Sequence, residues 1–426
     1  MWFRYSLIFI IGFFYIYPIF PAFLPIPLDR VLQIIGVGVL LGPWNRKEVF
    51  LNNGVYFRVF FSNILVVLLA FVAQLQNLGG FDSYFLKQTF DIYFYFFAAY
   101  LVNILLYNRY KLQFNLTRMV DFVVILFVIQ AVVSFVFFMQ PSLYESYAGI
   151  LKAETNAGIL DRLGLINKRL MGVGSSFFSG VVKYGFGFLL LIYTLKDPVS
   201  IFHRNKFLFV TSFILIISAG VLTGRTFFIA IALGLGLYMV QDRRNFFAVI
   251  YKVLPLLVLG VGLGMVVLNF FLPENRMEII FNFVFEMFIN YADSGELSTS
   301  SSDKTLQMFV FPDDLNTWLF GDGKMLLGDG SYYQRIDVGF IRLIYYFGLP
   351  STIFYFLVKA YLFDILRRLA ANRFQKQLFV FMFFWFFLYH IKGLANTDEF
   401  IVLFLIALVG QRSIHGREQT LSKHSC

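Results

Sequence analysis

The sequence predicts an all-α, polytopic integral membrane protein, and three observations carry that prediction. Of 426 residues, 59% are hydrophobic and only 14% charged, with a mean hydropathy of +0.73. Apolar runs recur along the whole chain, each roughly long enough for a hydrocarbon core of about 30 Å. Basic residues gather in short segments between alternate runs, which is the positive-inside pattern. The 58 phenylalanines and 24 tyrosines suit the same setting, because rings pack against acyl chains and tyrosines sit well at headgroup level. A formal charge of +10 would suggest nucleic acid in a soluble chain. Here the cations mark one membrane face instead, so a lipid bilayer is the expected partner and nucleic acid is not. Cys426 is the one cysteine and the last residue, which leaves no disulfide, thiolate metal site or thiol nucleophile to expect.

About twelve spans follow from the apolar runs: residues 5 to 20, 28 to 44, 57 to 75, 90 to 107, 119 to 138, 177 to 195, 206 to 222, 226 to 241, 250 to 271, 349 to 366, 377 to 391 and 398 to 411. The first run follows Arg4, but Tyr17 to Phe23 offers no small-residue cleavage site, so it reads as a retained helix. Arg46, Lys47 and Arg58, then Arg109, Lys111 and Arg118, then Lys196, Arg204 and Lys206, then Arg243 and Arg244, then Arg367, Arg368, Arg373 and Lys376, then Arg412 and Arg417 alternate with the spans. That series places those loops and both termini in the cytoplasm. The opposite face receives two long loops, 139 to 176 and 272 to 348, within one membrane domain covering 1 to 426. Loops of that length are often functional. The second is rich in acidic and polar residues, carries the serine-rich patch Ser298 to Ser302, and is expected to end in a short interfacial helix.

Four features on that outer face are candidates for chemistry. The first is Arg169 followed by Gly172, Gly174 and Gly180 at the entry to the sixth span. Glycines let backbone approach a ligand closely, and a guanidinium beside them clamps phosphate with paired hydrogen bonds. An interfacial arginine before a loose glycine turn is the plainer reading of the same residues. The second is Arg225, squeezed between two apolar runs in Thr223-Gly-Arg225. A cation at bilayer depth costs about 2.5 to 3.5 kcal/mol on insertion scales, so it is usually retained for a ligand, although it can also snorkel to headgroups. The third is Gly321-Asp-Gly323, Gly328-Asp-Gly330 and the stretch from Arg335 to Pro350. A helix over 335 to 347 would put Arg335, Gly339, Arg342 and Tyr346 on one stripe, either facing an anionic groove or anchoring in lipid. The fourth is Tyr389-His390-Ile-Lys392-Gly393, whose histidine is the one of four mapped to this face. His390 is either a proton acceptor or a hydrogen-bonded structural residue.

Absences narrow the chemistry. There is no Walker motif, no Gly-x-Gly-x-x-Gly after a strand, no metal-binding histidine pair and no cytosolic stretch long enough for a nucleotide domain. No cofactor and no metal are therefore expected. A transferred group should arrive on the outer side already carrying its leaving group, and a lipid pyrophosphate stabilised by arginines meets that demand.

Taken in order, the Arg169 to Gly180 segment, the Thr223 to Arg225 hairpin, the Gly321 to Gly348 segment ending Phe-Gly-Leu-Pro and the His390 to Gly393 stretch resemble the bacterial O-antigen and capsule repeat-unit polymerases, which are related to O-antigen ligases. The likeness spans most of the chain as a layout, while each motif alone is short. It implies a metal-independent inner-membrane glycosyltransferase that moves a growing glycan from undecaprenyl pyrophosphate to the non-reducing end of a new lipid-linked unit. It further implies that Arg169 and Arg225 bind the pyrophosphate, with Arg342 or Arg335 as a third, and that a chain-length regulator is a possible partner. In the ligase branch a histidine on the late outer loop is the base, and residues 272 to 335 contain none. Asp337 and His390 are the rival bases, with Asp337 slightly preferred. The alternatives are a ligase, or a transporter or flippase, which would need ionisable residues at mid-bilayer such as Lys183, Glu286 and Lys359.

Overall fold

The computed structural model describes residues 2–43, 47–51, 53–77, 82–152, 169–175, 177–241, 255, 258–260, 262–266, 269–270, 272–296, 298–328 and 330–424. Among them the secondary structure is helical, with isolated β-bridges and no strand. In chain order the helices used below are α1 (Trp2–Ile16), α2 (Leu28–Leu41), α3 (Lys47–Phe50), α4 (Asn53–Gln76), α5 (Tyr84–Tyr110), α6 (Leu116–Met139), α7 (Pro141–Ile150), α8 (Phe177–Thr194), α9 (Ile201–Arg204), α10 (Lys206–Thr223), α11 (Phe227–Gln241), α12 (Glu274–Ser294), α13 (Ser300–Gln307), α14 (Leu315–Phe320), α15 (Gly339–Phe347), α16 (Leu349–Leu369), α17 (Arg373–Tyr389) and α18 (Asp398–His424).

Seven of these are long and apolar enough to cross a membrane: they cover Gly54–Gln76, Tyr84–Gln113, Leu116–Met139, Phe177–Thr194, Lys206–Thr223, Leu349–Leu369 and Asp398–Gly416. The expectation of about twelve spans is not met among the described residues. Helices α1, α2, α11 and α17 match four expected spans but have only 15, 14, 15 and 17 residues. All four are shorter than any of the seven, the shortest of which has 18 residues, and at 1.5 Å per residue they extend only about 21 to 26 Å as straight rods. The span expected over 250 to 271 lies mostly outside the described residues.

Local chemistry explains where the long helices begin. Asn115 caps α6 by accepting from the Arg118 amide at 3.0 Å, Asn205 caps α10 from the Leu208 amide at 3.0 Å, and Asn372 caps α17 from the Gln375 amide at 2.9 Å. Gly348, at φ +79°, and Pro350 break α15 from α16. In the packed bundle α8 is the central rod, buried along nearly its whole length and surrounded by α6, α10, α11 and α17. Trp385 of α17 donates its indole N–H to the Val182 carbonyl of α8 at 3.0 Å, since a buried ring nitrogen needs an acceptor. Helix α18 lies against α5, α6 and α16.

The two ends of the bundle are built from different elements. Arg58, Arg368 and Arg412, from α4, α16 and α18, line one cavity at the end where α16 and α18 finish. At the opposite end sit the starts of α8, α11, α16 and α18, the last turn of α17, and the segment running from α12 to α15. The latter is not an extended loop: 272 to 348 is largely helical, with Ile279, Phe281, Phe288 and Tyr291 of α12 left exposed. A helix with exposed aromatics beside a membrane domain suits the headgroup boundary better than open solvent. The other expected loop, 139 to 176, contains α7, and its residues 153 to 168 lie outside the described residues.

A buried ion pair locks two of the long helices. Lys359 of α16 donates to Asp398 of α18 at 2.5 Å, with both side chains almost fully enclosed. Breaking such a pair from one side leaves a bare charge and costs about 3–5 kcal/mol. Lys359→Met and Asp398→Asn are each expected to lower the detergent melting temperature by several degrees, and the double variant to recover part of the loss. Single variants that melt like the parent would remove this pair from the list of structural ties.

Candidate functional site

Backbone pairing is what brings Arg169 and Arg225 together. The Leu170 amide donates to the Leu222 carbonyl at the end of α10 at 3.1 Å, which pins the segment after the first long loop against the α10–α11 turn. That turn is Gly224-Arg225-Thr226, closed by the Phe227 amide donating to the Gly224 carbonyl at 3.0 Å. Both guanidiniums lie over the ring of Phe283 from α12, at 5.0 Å for Arg169 and 4.8 Å for Arg225. Arg225 is also paired with Glu286, one helical turn further along α12. Burial alone would raise the Glu286 carboxyl, but the Ser300 amide and Arg225 outweigh it and hold it below the usual carboxylate range. Arg169 has no ion pair among the described residues. Burial, and to a lesser degree the neighbouring Arg225, lower its pKa, with Tyr389 opposing.

These arginines line a cavity of about 270 Å³, together with Phe177, Phe178, Tyr332, Asp337, Tyr389 and Lys392. Three cations face one carboxylate there. Lys392 donates to Ser301 Oγ at 2.9 Å and to Thr305, which ties its ammonium to α13. Burial lowers the Lys392 pKa, with Asp337 opposing and the two arginines adding to the shift. Lys392 is the charged residue of this cavity that sequence reading quoted in a motif but did not single out, and Phe178 and Tyr332 were not singled out either. Lys392 stands two positions after His390, the residue that drew attention to this motif.

Asp337 joins this cavity to a second one. The neighbour holds about 300 Å³ and shares Phe178, Tyr332 and Asp337 with the first, so those three residues form the common wall. Its own lining includes Gln88, Lys183, Arg342, Asn396 and Glu399. Burial raises the Asp337 carboxyl above its ordinary range, and Arg342 and Lys392 pull it back in part.

Arg342 is therefore in the adjoining cavity and not beside Arg169 and Arg225. It is 4% exposed, its guanidinium lies 3.8 Å above the Tyr332 ring, and its Nε and Nη2 have no partner among the described residues. The expected helix over 335 to 347 begins only at Gly339, because Gln334 and Arg335 adopt φ values of +56° and +55° that no α-helix contains. Arg335 is consequently exposed and lines neither cavity. Tyr346 turns the other way, toward α4, where Gln74 donates to its hydroxyl at 2.9 Å.

The three glycines expected at the ligand approach the protein's own chain. A β-carbon at Gly339 would stand 2.3 Å from the Gly393 carbonyl oxygen, so only glycine lets α15 meet the turn that carries Lys392. The Phe340 amide donates to the His390 carbonyl at 3.1 Å in the same contact. Gly174, at φ +56°, packs on the Tyr17 and Pro18 backbone, and Gly172 on Gln130 and Ser134 of α6. None of the three lines either cavity.

His390 is fully buried, with Nδ1 at 2.8 Å from the Phe386 carbonyl and its ring against Phe340, Tyr355, Phe356 and Phe386. It lines neither cavity. Lys183, also buried, donates to the Ile16 carbonyl at 2.5 Å. No cluster of three or more histidine, cysteine or acidic residues suited to a metal occurs among the described residues. Comparison with protein-family models, curated proteins and solved structures returned no match.

Proposed function

We propose that this chain is a glycosyltransferase that lengthens a surface polysaccharide from lipid-pyrophosphate-linked repeat units at the periplasmic face of the bacterial inner membrane. The observation that carries the reading is Asp337, standing in the wall between a tricationic cavity and a second polar one. Arg169, Arg225 and Lys392 would hold the diphosphate of the donor, each guanidinium able to fork across two phosphate oxygens. The acceptor hydroxyl attacks the donor's anomeric carbon. Its new C–O bond forms as the bond to the diphosphate breaks, the diphosphate keeps the electron pair, and the hydroxyl proton passes to Asp337. Three fixed cations stabilise the departing charge, the task a metal ion performs elsewhere. The positive-inside pattern supports the outer location, because the site lies at the end of the bundle opposite Arg58, Arg368 and Arg412, which belong to the alternating basic series.

His390 has no route to either substrate in this scheme, and His390→Gln is expected to keep at least half of the polymer output at equal protein level. Polymer output that vanishes with the variant still folded would restore histidine as the base.

The direct test is the surface polysaccharide of a deletion strain, separated on a gel. Loss of the long-chain ladder with single units still displayed supports polymerisation. Loss of single units as well points to the ligase, and units trapped on the inner leaflet point to a flippase.

A further inference from the structure

The cavity beside Asp337 is built for a ligand that both donates and accepts hydrogen bonds. Arg342 and Gln88 both line it, and Arg342 Nε and Nη2 and Gln88 Oε1 are buried with no hydrogen-bond partner among the described residues. A diphosphate would satisfy the arginine only, and it would meet two carboxylates, Asp337 and Glu399, against two cations, Arg342 and Lys183, where the neighbouring cavity sets three cations against one carboxylate. A hydroxyl group satisfies both kinds of orphan, because it donates one hydrogen bond and accepts two. Tyr332 and Phe178 add ring surfaces of the kind that the C–H faces of a pyranose pack on. The cavity also continues outward. Through Tyr84 and Gln88 it adjoins a wider cavity of about 870 Å³, whose lining includes Asn77, Asp82, Lys87, Asp91 and Lys324. That volume lies within the range of pockets that enclose drug-sized ligands, and its lining is again mixed in sign and rich in amide and carboxylate groups.

We propose that these two joined cavities are the acceptor-glycan subsite: Arg342 and Gln88 hold the terminal sugar of the incoming unit beside Asp337, and the wider cavity takes the sugars that follow. The assignment rests on the transferase reading and separates the work of the cations. Arg169, Arg225 and Lys392 serve the leaving group, while Arg342 serves the nucleophile's sugar ring.

The test uses the full chain in detergent and two modified substrates. One is a donor unit blocked at its non-reducing end, and the other an acceptor unit whose diphosphate is replaced by an ether link to the lipid. Gln88→Leu and Lys87→Ala are expected to raise KM for the acceptor about tenfold and about threefold, respectively, with KM for the donor within twofold of the parent. A change confined to the donor, or no change in either constant, overturns the proposal. Binding of the free repeat-unit oligosaccharide, followed by tyrosine fluorescence, supplies a readout independent of turnover. Binding that is retained in Arg225→Ala but lost in Gln88→Leu supports the subsite; equal binding in both variants, or none in the parent, overturns it. Sugar binding of that pattern in a protein that transfers nothing would sink the transferase reading and leave the subsite standing. Lys87 is exposed, so its variant has no packing to lose and covers the case in which Gln88→Leu misfolds.

Discussion

Arg225→Ala is expected to abolish the long-chain polysaccharide and to cut transfer in detergent by about 10²- to 10³-fold, the cost of losing one fixed donor to a developing oxyanion. Such a factor corresponds to about 2.7–4 kcal/mol of lost transition-state stabilisation. The residue is not interchangeable with another cation. Its guanidinium lies over Phe283 and is paired with Glu286, and a flexible ammonium would keep the charge but lose the planar fork. Arg225→Lys is therefore expected to recover only a small part of the activity. Removing Arg225 also leaves Glu286 facing an anionic substrate. The double variant with Glu286→Gln separates these effects: donor binding should improve over Arg225→Ala alone while turnover stays low. Equal protein levels on a blot and an unchanged melting temperature are the necessary controls. A normal chain-length ladder from Arg225→Ala would end the pyrophosphate assignment.

Asp337→Asn is expected to reduce turnover by about 10²- to 10⁴-fold, the usual contribution of a positioned general base, while donor KM changes little. The pH dependence gives a sharper result. A base acts in its ionised form, so the rate must fall as pH drops through the Asp337 pKa. Burial sets that pKa above the ordinary aspartate value of about 3.9, and the acid limb of the parent should lie correspondingly higher. Arg342 and Lys392 both pull the pKa down. Lys392→Gln removes one of these influences, and the limb should move upward again. An acid limb that stays in place in Lys392→Gln, or an Asp337→Asn variant of normal rate, would take the proton transfer away from this residue.

Part of the candidate site was legible in the sequence: Arg169, Arg225 and Asp337 share one cavity and Arg342 lines the next, while Arg335, His390 and the three glycines line neither. Arg169 and Arg225 stood out because a charge flanked by apolar runs is costly, and that cost does not depend on which helices become neighbours. Their meeting in one cavity is held by contacts between residues far apart in the chain, such as the Leu170 amide on the Leu222 carbonyl and Phe283 against both guanidiniums, which no periodicity encodes. The stripe from Arg335 to Tyr346 failed at its start. Spacing describes where side chains fall if a helix exists, and Gln334 and Arg335 leave helical geometry before it begins. His390 and Lys392 show the same limit within one motif. Three residues of a turn at a helix end point in different directions, so the histidine enters the aromatic packing and the lysine enters the cavity.

Composition, charge alternation and run length by themselves determined that this is a helical chain with several apolar spans, as a multi-pass membrane protein has, and singled out its costly cations as candidates. These are sums over residues, indifferent to arrangement. Which cations share a cavity, which glycine faces a backbone and which carboxylate stands between two pockets was decided only by the tertiary structure. Those outcomes turn on contacts between residues far apart in the chain, such as Gly339 against Gly393 and Phe283 between two arginines. Local sequence carries no term for the distance between such residues, and the packed bundle does.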